Sequence, residues 1–122
     1  MTDKEVVDLL ELSYSIRKLN GFKWEPGMLG VYRPRGFETQ GYSTRFREGM
    51  SARNMSEWLV PALYDLSTAG ALCYKLLDLG ATVTCLHHGD VCIEFTETGI
   101  SYRGKFLGEA CAKAVLARGS WV

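Results

Sequence analysis

Apolar residues between Ser67 and Gly119 follow helical spacing at both ends of the segment and strand spacing in its middle. The stretch 67–80 predicts an amphipathic helix capped by Ser67 and closed by Gly80, with an apolar stripe of Ala69, Leu72, Cys73, Leu76 and Leu77. The stretch 106–119 predicts a second helix that ends at Gly119, with a stripe of Leu107, Ala110, Cys111, Ala114 and Val115.

Between the two helices the apolar period falls to two residues, which is typical of strands with one buried face. The first strand places Val83 and Cys85 inward, and the third runs through Ile100 and Tyr102. The second strand places Val91, Ile93 and Phe95 inward and Cys92, Glu94 and Thr96 outward. The turns at 88–90 and 98–99 are short, so we expect an antiparallel meander flanked by two helices.

The remaining half of the chain predicts less structure. Thr2 and Glu5 form a capping-box pattern that predicts a helix up to Asn20. Residues 21–54 contain six glycines and two prolines and predict an irregular insert, apart from a short strand at 29–32 that we expect at a sheet edge. Ser56 predicts a helical turn that Pro61 interrupts, and we expect the side chains of Trp58, Tyr64 and Trp121 to pack on the core.

These patterns predict a single α+β domain over residues 1–122, with an antiparallel sheet of three or four strands packed against two or three helices. Its parts are a helix at 1–20, the insert at 21–54 and the core at 56–119. The predicted core comprises Leu72, Leu76, Val83, Ile93, Phe95, Ala110 and Val115.

Composition narrows the class of protein. The chain is 47% hydrophobic and has no formal net charge, and it contains no apolar run of the roughly 20 residues that a membrane helix needs. The acidic start of the chain does not fit a secretory signal, so we expect a cytoplasmic protein that does not bind membranes. The four cysteines have no paired spacing, and we interpret them as small buried hydrophobic residues in a reducing compartment.

The segment from Trp58 to Ala117 resembles small phage and prophage proteins of the phage α/β/α sandwich domain type. The resemblance lies in the phrase WLVPALYDLSTAGALCYKLLDLG, in the hairpin that follows it, and in GKFLGEACAKAVLA. It implies a phage-derived accessory protein, and by its size and charge an inhibitor of a bacterial defence complex in the manner of anti-CRISPR proteins. The resemblance carries no catalytic residues.

The insert is the candidate binding site because it combines arginines with aromatic residues, which are enriched where proteins meet. The predicted partner-binding residues are Arg33, Arg35, Phe37, Tyr42, Arg45, Phe46, Arg47 and Arg53. We expect a host protein or ribonucleoprotein as partner, and we expect Arg45→Glu with Arg47→Glu to abolish binding without unfolding the chain. Direct nucleic-acid binding, a purely structural loop and a homodimer formed through an exposed sheet edge stay open, although a local excess of three positive charges is small for nucleic acid.

The sequence contains few residue patterns typical of metal sites or catalytic sites. His87 and His88, near Cys85, Asp90 and Cys92, are the one concentration of metal-type ligands, and we interpret them as turn and strand-end residues. We interpret Glu94 and Glu97 as solvated surface carboxylates. The sequence contains no nucleophile elbow, phosphate-binding loop or dinucleotide fingerprint. We therefore expect a non-enzymatic protein without metal or cofactor, with a small-molecule-binding protein or an enzyme of unrecognised type as the alternative.

Overall fold

The computed structural model describes residues 2–32, 43–86 and 89–121. This part of the chain has the predicted α+β architecture, with two three-stranded antiparallel sheets and three α-helices. The elements are α1 (Asp3–Arg17), β1 (Leu29–Tyr32), β2 (Ser43–Arg45), a 3-10 helix (Ala52–Asn54), β3 (Leu59–Pro61), α2 (Leu66–Asp78), β4 (Ala81–Cys85), β5 (Val91–Phe95), β6 (Ser101–Gly104) and α3 (Leu107–Arg118).

The predicted helix–meander–helix core is confirmed. Strands β4, β5 and β6 pair in chain order, with Val83 opposite Ile93 and Ile93 opposite Tyr102. Five predicted core residues are fully buried, and Val83 and Phe95 pack against them from half-buried positions; the five are Leu72, Leu76, Ile93, Ala110 and Val115. The predicted stop at Gly119 is confirmed by its left-handed φ of 74°.

Several side chains of this core lie differently from the prediction. The cap of α2 is Asp65, which accepts the Thr68 N–H at 3.0 Å, and Ser67 lies inside the helix. Cys85 is exposed because β4 is an edge strand with a neighbour on one side. Cys92 is buried on the central strand β5, where Thr84 and Arg103 lie opposite it on the two flanking strands.

The sheet β2-β1-β3 corrects three further expectations. The strand predicted at 29–32 exists, but it is the central strand of this second sheet and not an edge. Residues 56–59 form a turn closed by the Leu59 N–H and the Ser56 carbonyl, and the chain then continues as β3 and not as a helix. As a result Trp58 and Tyr64 are exposed, at 64% and 58%.

The two ends of the described chain behave as predicted, except for one hydrogen bond. Thr2 accepts the Glu5 N–H at 3.2 Å, which confirms it as the predicted cap. The Glu5 carboxylate accepts the Thr2 hydroxyl at 3.1 Å and not the Thr2 backbone N–H, so the reciprocal bond of a capping box is not formed. The helix that Thr2 caps packs against α3 and β3. Trp121 is buried, as its size suggested. No helix in the described residues has the length and apolar character needed to cross a membrane.

Candidate partner-binding surface

The segment 46–58 crosses one face of the sheet β2-β1-β3. Strands β2 and β3 pair with opposite sides of β1 and are both antiparallel to it, so the connection must run from one end of the sheet to the other. Gly30 makes room for this crossover, because a Cβ there would lie 2.8 Å from the Met55 methyl and 3.0 Å from the Trp24 ring. Phe46 and Met55 are buried beneath the crossover and hold it on the core.

Local hydrogen bonds fix the crossover further. Ser51 caps the 3-10 helix by accepting the Arg53 N–H at 3.3 Å, and the Asn54 side chain accepts the Ser51 N–H at 2.9 Å. Ser56 accepts the Trp58 N–H at 3.3 Å and shapes the turn before β3. The exposed residues of this segment are therefore carried by a backbone with defined hydrogen bonds and buried anchors.

Four exposed side chains define what we call the crossover surface: Tyr32, Arg47, Arg53 and Trp58. Tyr32 shares a face of β1 with Gly30, because side chains two residues apart point the same way, and it lies opposite Leu59. Trp58 lies in the turn that precedes β3, and Arg47 and Arg53 lie on the crossover itself, so the name groups exposed residues of the crossover with one of the neighbouring strand β1. Neither Arg47 nor Arg53 makes an ion pair with any residue that the structure describes.

Charge on the crossover is balanced. Arg47 and Arg53 are matched within the segment 46–58 by Glu48 and Glu57. The segment 46–58 as a whole therefore lacks the excess of positive charge that the insert was predicted to carry. Balanced charge with an exposed indole fits a protein surface better than the basic footprint that nucleic acid requires.

Arg45 has a structural partner. Its guanidinium donates two hydrogen bonds to the Asp65 carboxylate, at 2.9 and 3.0 Å, and a third to the Gly27 carbonyl at 2.8 Å. Asp65 also accepts the Thr68 hydroxyl at 2.9 Å, and the Thr68 oxygen accepts the Leu29 N–H at 2.8 Å. Arg45 holds the pKa of Asp65 below its usual range, and the Thr68 hydrogen bonds add to that effect.

The predicted partner-binding residues thus fall into three groups. Arg47 and Arg53 are exposed, whereas Arg45 is engaged with Asp65 and Phe46 is buried. The other four, Arg33, Arg35, Phe37 and Tyr42, lie outside the described residues. A glutamate at position 45 would face the Asp65 carboxylate, so the Arg45→Glu, Arg47→Glu pair does not test binding alone. Trp58 was missed because it was expected to pack on the core, and Tyr32 was assigned only to the short strand at 29–32.

Among the described residues, the side chains that could bind a metal or act in catalysis do not form a cluster. His87 and His88 lie outside the described residues, and the described residues contain no cluster of three metal-type side chains. Burial, together with neighbouring Cys73, raises the pKa of the Cys111 thiol to about 12, so this thiol is protonated at neutral pH and is a poor nucleophile.

Three concavities on the surface of the described residues are candidate ligand sites. One of about 190 Å³ lies between α1, β1 and the residues that follow β3, and it has an almost wholly apolar lining that includes Leu10, Val31 and Tyr64. The others, of about 360 and 600 Å³, lie beside the β5–β6 turn and beside α2. The described residues that line these three concavities include no histidine and no cysteine.

Comparison of the chain with protein-family models, with curated proteins and with solved structures finds no match.

Proposed function

We propose that this chain is a non-enzymatic binding protein that holds a protein partner on the crossover surface. The observation that carries the proposal is Trp58, which is 64% exposed although it is attached to an anchored backbone. Exposing an indole forgoes the free energy of burying it, and a partner that covers it recovers that energy. Trp, Tyr and Arg are also the residues that most often dominate binding energy at protein interfaces.

The biological setting of this proposal comes from the sequence resemblance. A phage or prophage accessory protein acting in the bacterial cytoplasm would meet host protein and ribonucleoprotein complexes there. We propose inhibition of a host defence complex as the role, in the manner of anti-CRISPR proteins. The balanced charge of the crossover favours protein over RNA as the part of such a complex that is contacted.

The proposal is tested by comparing variants of the chain as immobilised bait in nuclease-treated bacterial lysate. We expect a partner that binds the wild-type chain to be lost by Trp58→Ala and weakened by Arg53→Glu. Tyr74→Ala and Arg103→Glu are the matched controls, since Tyr74 is 74% exposed on α2 and Arg103 is exposed on β6. Both controls should retain the partner, and all four variants should unfold at the wild-type temperature.

Three results would contradict the proposal. Equal recovery by Trp58→Ala and Tyr74→Ala would exclude the crossover surface. Capture that is seen in untreated lysate and lost in nuclease-treated lysate, with affinity falling steeply as salt rises, would indicate nucleic acid instead. Thermal stabilisation of the pure chain by a metabolite, with turnover of that metabolite, would indicate an enzyme.

A further inference from the structure

The two sheets have four edge strands, and the described residues protect two of them. On β3 the Leu59 carbonyl accepts from Arg17 Nε at 3.3 Å, the Leu59 N–H is used in the preceding turn, and Pro61 has no N–H. On β6 the Arg103 carbonyl accepts from Lys113 Nζ at 3.0 Å. Lysine, arginine and proline are the usual means of preventing an edge strand from pairing with another chain. The third edge, β2, directly follows the undescribed residues 33–42.

Among the described residues, none protects the fourth edge, β4, in this way. The Thr96 N–H donates to the Gly80 carbonyl, and the Leu86 N–H donates to the Asp90 carbonyl. Because hydrogen-bonded pairs alternate along an antiparallel ladder, Thr82 and Thr84 bond to β5, and the residues between them direct their peptide groups away from it. The outward peptide groups belong to Ala81, Val83 and Cys85, and none of them has a backbone partner among the described residues.

We propose that β4 pairs antiparallel with β4 of a second copy of this chain, about a two-fold axis at Val83. The strand sequence Ala-Thr-Val-Thr-Cys is nearly symmetric about its centre, so the pairing places Val83 opposite Val83 and Thr82 opposite Thr84. Ala81 then lies opposite Cys85, and the three outward-directed residues become the hydrogen-bonded pairs of the new ladder. Every outward peptide group of the strand gains a partner in this register.

The side chains of β4 favour a second copy over an unrelated extended segment. The strand carries no charge, so self-pairing brings no like charges together. Threonine opposite threonine is a favourable cross-strand pair, and Thr82 and Thr84 are both exposed and able to form it. The result would be a continuous sheet of six strands across the two-fold axis, in the order β6-β5-β4-β4-β5-β6.

The strength of this association follows from its size. Two strands of five residues bury less than the ~1,200 Å² at which specific interfaces are normally stable. We therefore expect a dimer that forms with rising concentration, and not an obligate one. It is independent of the crossover surface, because β4 belongs to the other sheet.

Sedimentation of the wild-type chain over a range of concentrations is the first test. The mass should rise from 13.6 kDa towards about twice that value. Thr84→Lys should abolish the rise, because a lysine on an edge strand opposes pairing with another chain and the two lysines would be diagonal neighbours across the axis. Val83→Pro should also abolish it, since the Val83 N–H is directed away from β5 and has no partner among the described residues, so its loss spares the bonds to β5. Ser101→Lys, an exposed position on β6, should dimerise as the wild type does.

Cross-linking tests the register. In a hydrogen-bonded antiparallel pair the Cα atoms are ~5.5 Å apart, within the range that a disulfide spans. With Cys85 replaced by serine, Val83→Cys should therefore form covalent dimers under mild oxidation, and Ser101→Cys in the same background should not. A chain that stays monomeric at every concentration overturns the proposal, as do equal cross-linking rates for the two cysteine variants. A monomer that instead takes up an extended peptide along β4 overturns the second copy as its occupant.

Discussion

Asp65 joins two parts of the fold through a single carboxylate. As the cap of α2 it accepts the Thr68 N–H, and as the partner of Arg45 it fixes β2 against that helix. Thr68 extends the link to β1 through the Leu29 N–H. Charge-assisted, two-pronged bonds of this kind are stronger and more directional than an ordinary surface ion pair.

The lowered pKa of Asp65 makes this link dependent on pH. A carboxyl group whose pKa is lower in the folded chain than the unfolded value of 3.8 stabilises the fold above that value. The contribution is lost as pH falls through the pKa of the folded state. We expect Asp65→Asn, which can still cap the helix, to be less stable than the wild type at pH 7 and to approach it below pH 3.8.

Urea unfolding of both proteins at pH 7 and at pH 3 measures this difference. Asp78→Asn is the matched control, because Asp78 is an exposed carboxylate at the other end of the same helix. A wild-type advantage over Asp65→Asn that is the same at both pH values would show that the Arg45 pair contributes no pH-dependent stability.

Arg45 was predicted to bind a partner and Trp58 to lie in the core, but Arg45 pairs with Asp65 and Trp58 is exposed. An arginine between aromatic residues was expected to be available to a partner, but its acceptor Asp65 lies 20 residues further along the chain. Trp58 was expected in the core, but the turn closed by Ser56 and Leu59 directs it outward. The local pattern of apolar residues cannot predict the position of either side chain, because both positions depend on the pairing of β2 and β3 with β1.

The elements that could be predicted from the sequence are those in which the apolar pattern repeats over many residues. Helices α2 and α3 have 13 and 12 residues, enough for an apolar stripe to repeat, and β4 and β5 each alternate over five residues. Strands β2 and β3 have three residues each, which is too short for any period to show. The second sheet therefore emerges only from long-range pairing with β1.

Gly108, near the N-terminus of α3, is required because of close packing and not because of its backbone conformation. A Cβ on Gly108 would collide with the Leu63 carbonyl oxygen, a backbone atom that cannot rotate away. We expect Gly108→Ala to destabilise the chain by about 3 kcal/mol, the upper end of the cost of overpacking. Thermal unfolding followed by circular dichroism measures this change.

Gly70 supplies the matched control within α2. A Cβ there would meet nothing within 4 Å, and alanine is the better helix former, so Gly70→Ala should stabilise the chain by roughly 0.5–1 kcal/mol. The same substitution in two helices is thus expected to act with opposite signs. A Gly108→Ala variant that is stabilised as Gly70→Ala is would contradict the close contact between α3 and the Leu63 carbonyl.

At the scale of the whole molecule, the two sheets are joined by the helices and by an aromatic cluster near the ends of the described chain. Phe22 lies with its ring centre 5.2 Å from that of Trp24 and 4.9 Å from that of Trp121. The Trp121 N–H donates to the Asn20 carbonyl at 3.1 Å, and Lys75 Nζ lies 4.6 Å from the centre of the Trp121 ring. Trp121 therefore ties the segment after α1 to α2.

This arrangement predicts that the two sheets unfold together. Trp121→Ala should cost roughly 3–5 kcal/mol, a large part of the roughly 5–15 kcal/mol that stabilises a domain of this size. Because the tryptophan touches both halves of the fold, the loss should lower the midpoint of one cooperative transition and not release one sheet early. Urea unfolding followed by circular dichroism and by the fluorescence of Trp24 and Trp58, which both belong to the β2-β1-β3 half, distinguishes the two cases. Coincident curves in the variant support a single cooperative unit, whereas fluorescence that changes well before the helical signal would show that the second sheet is held independently of the core.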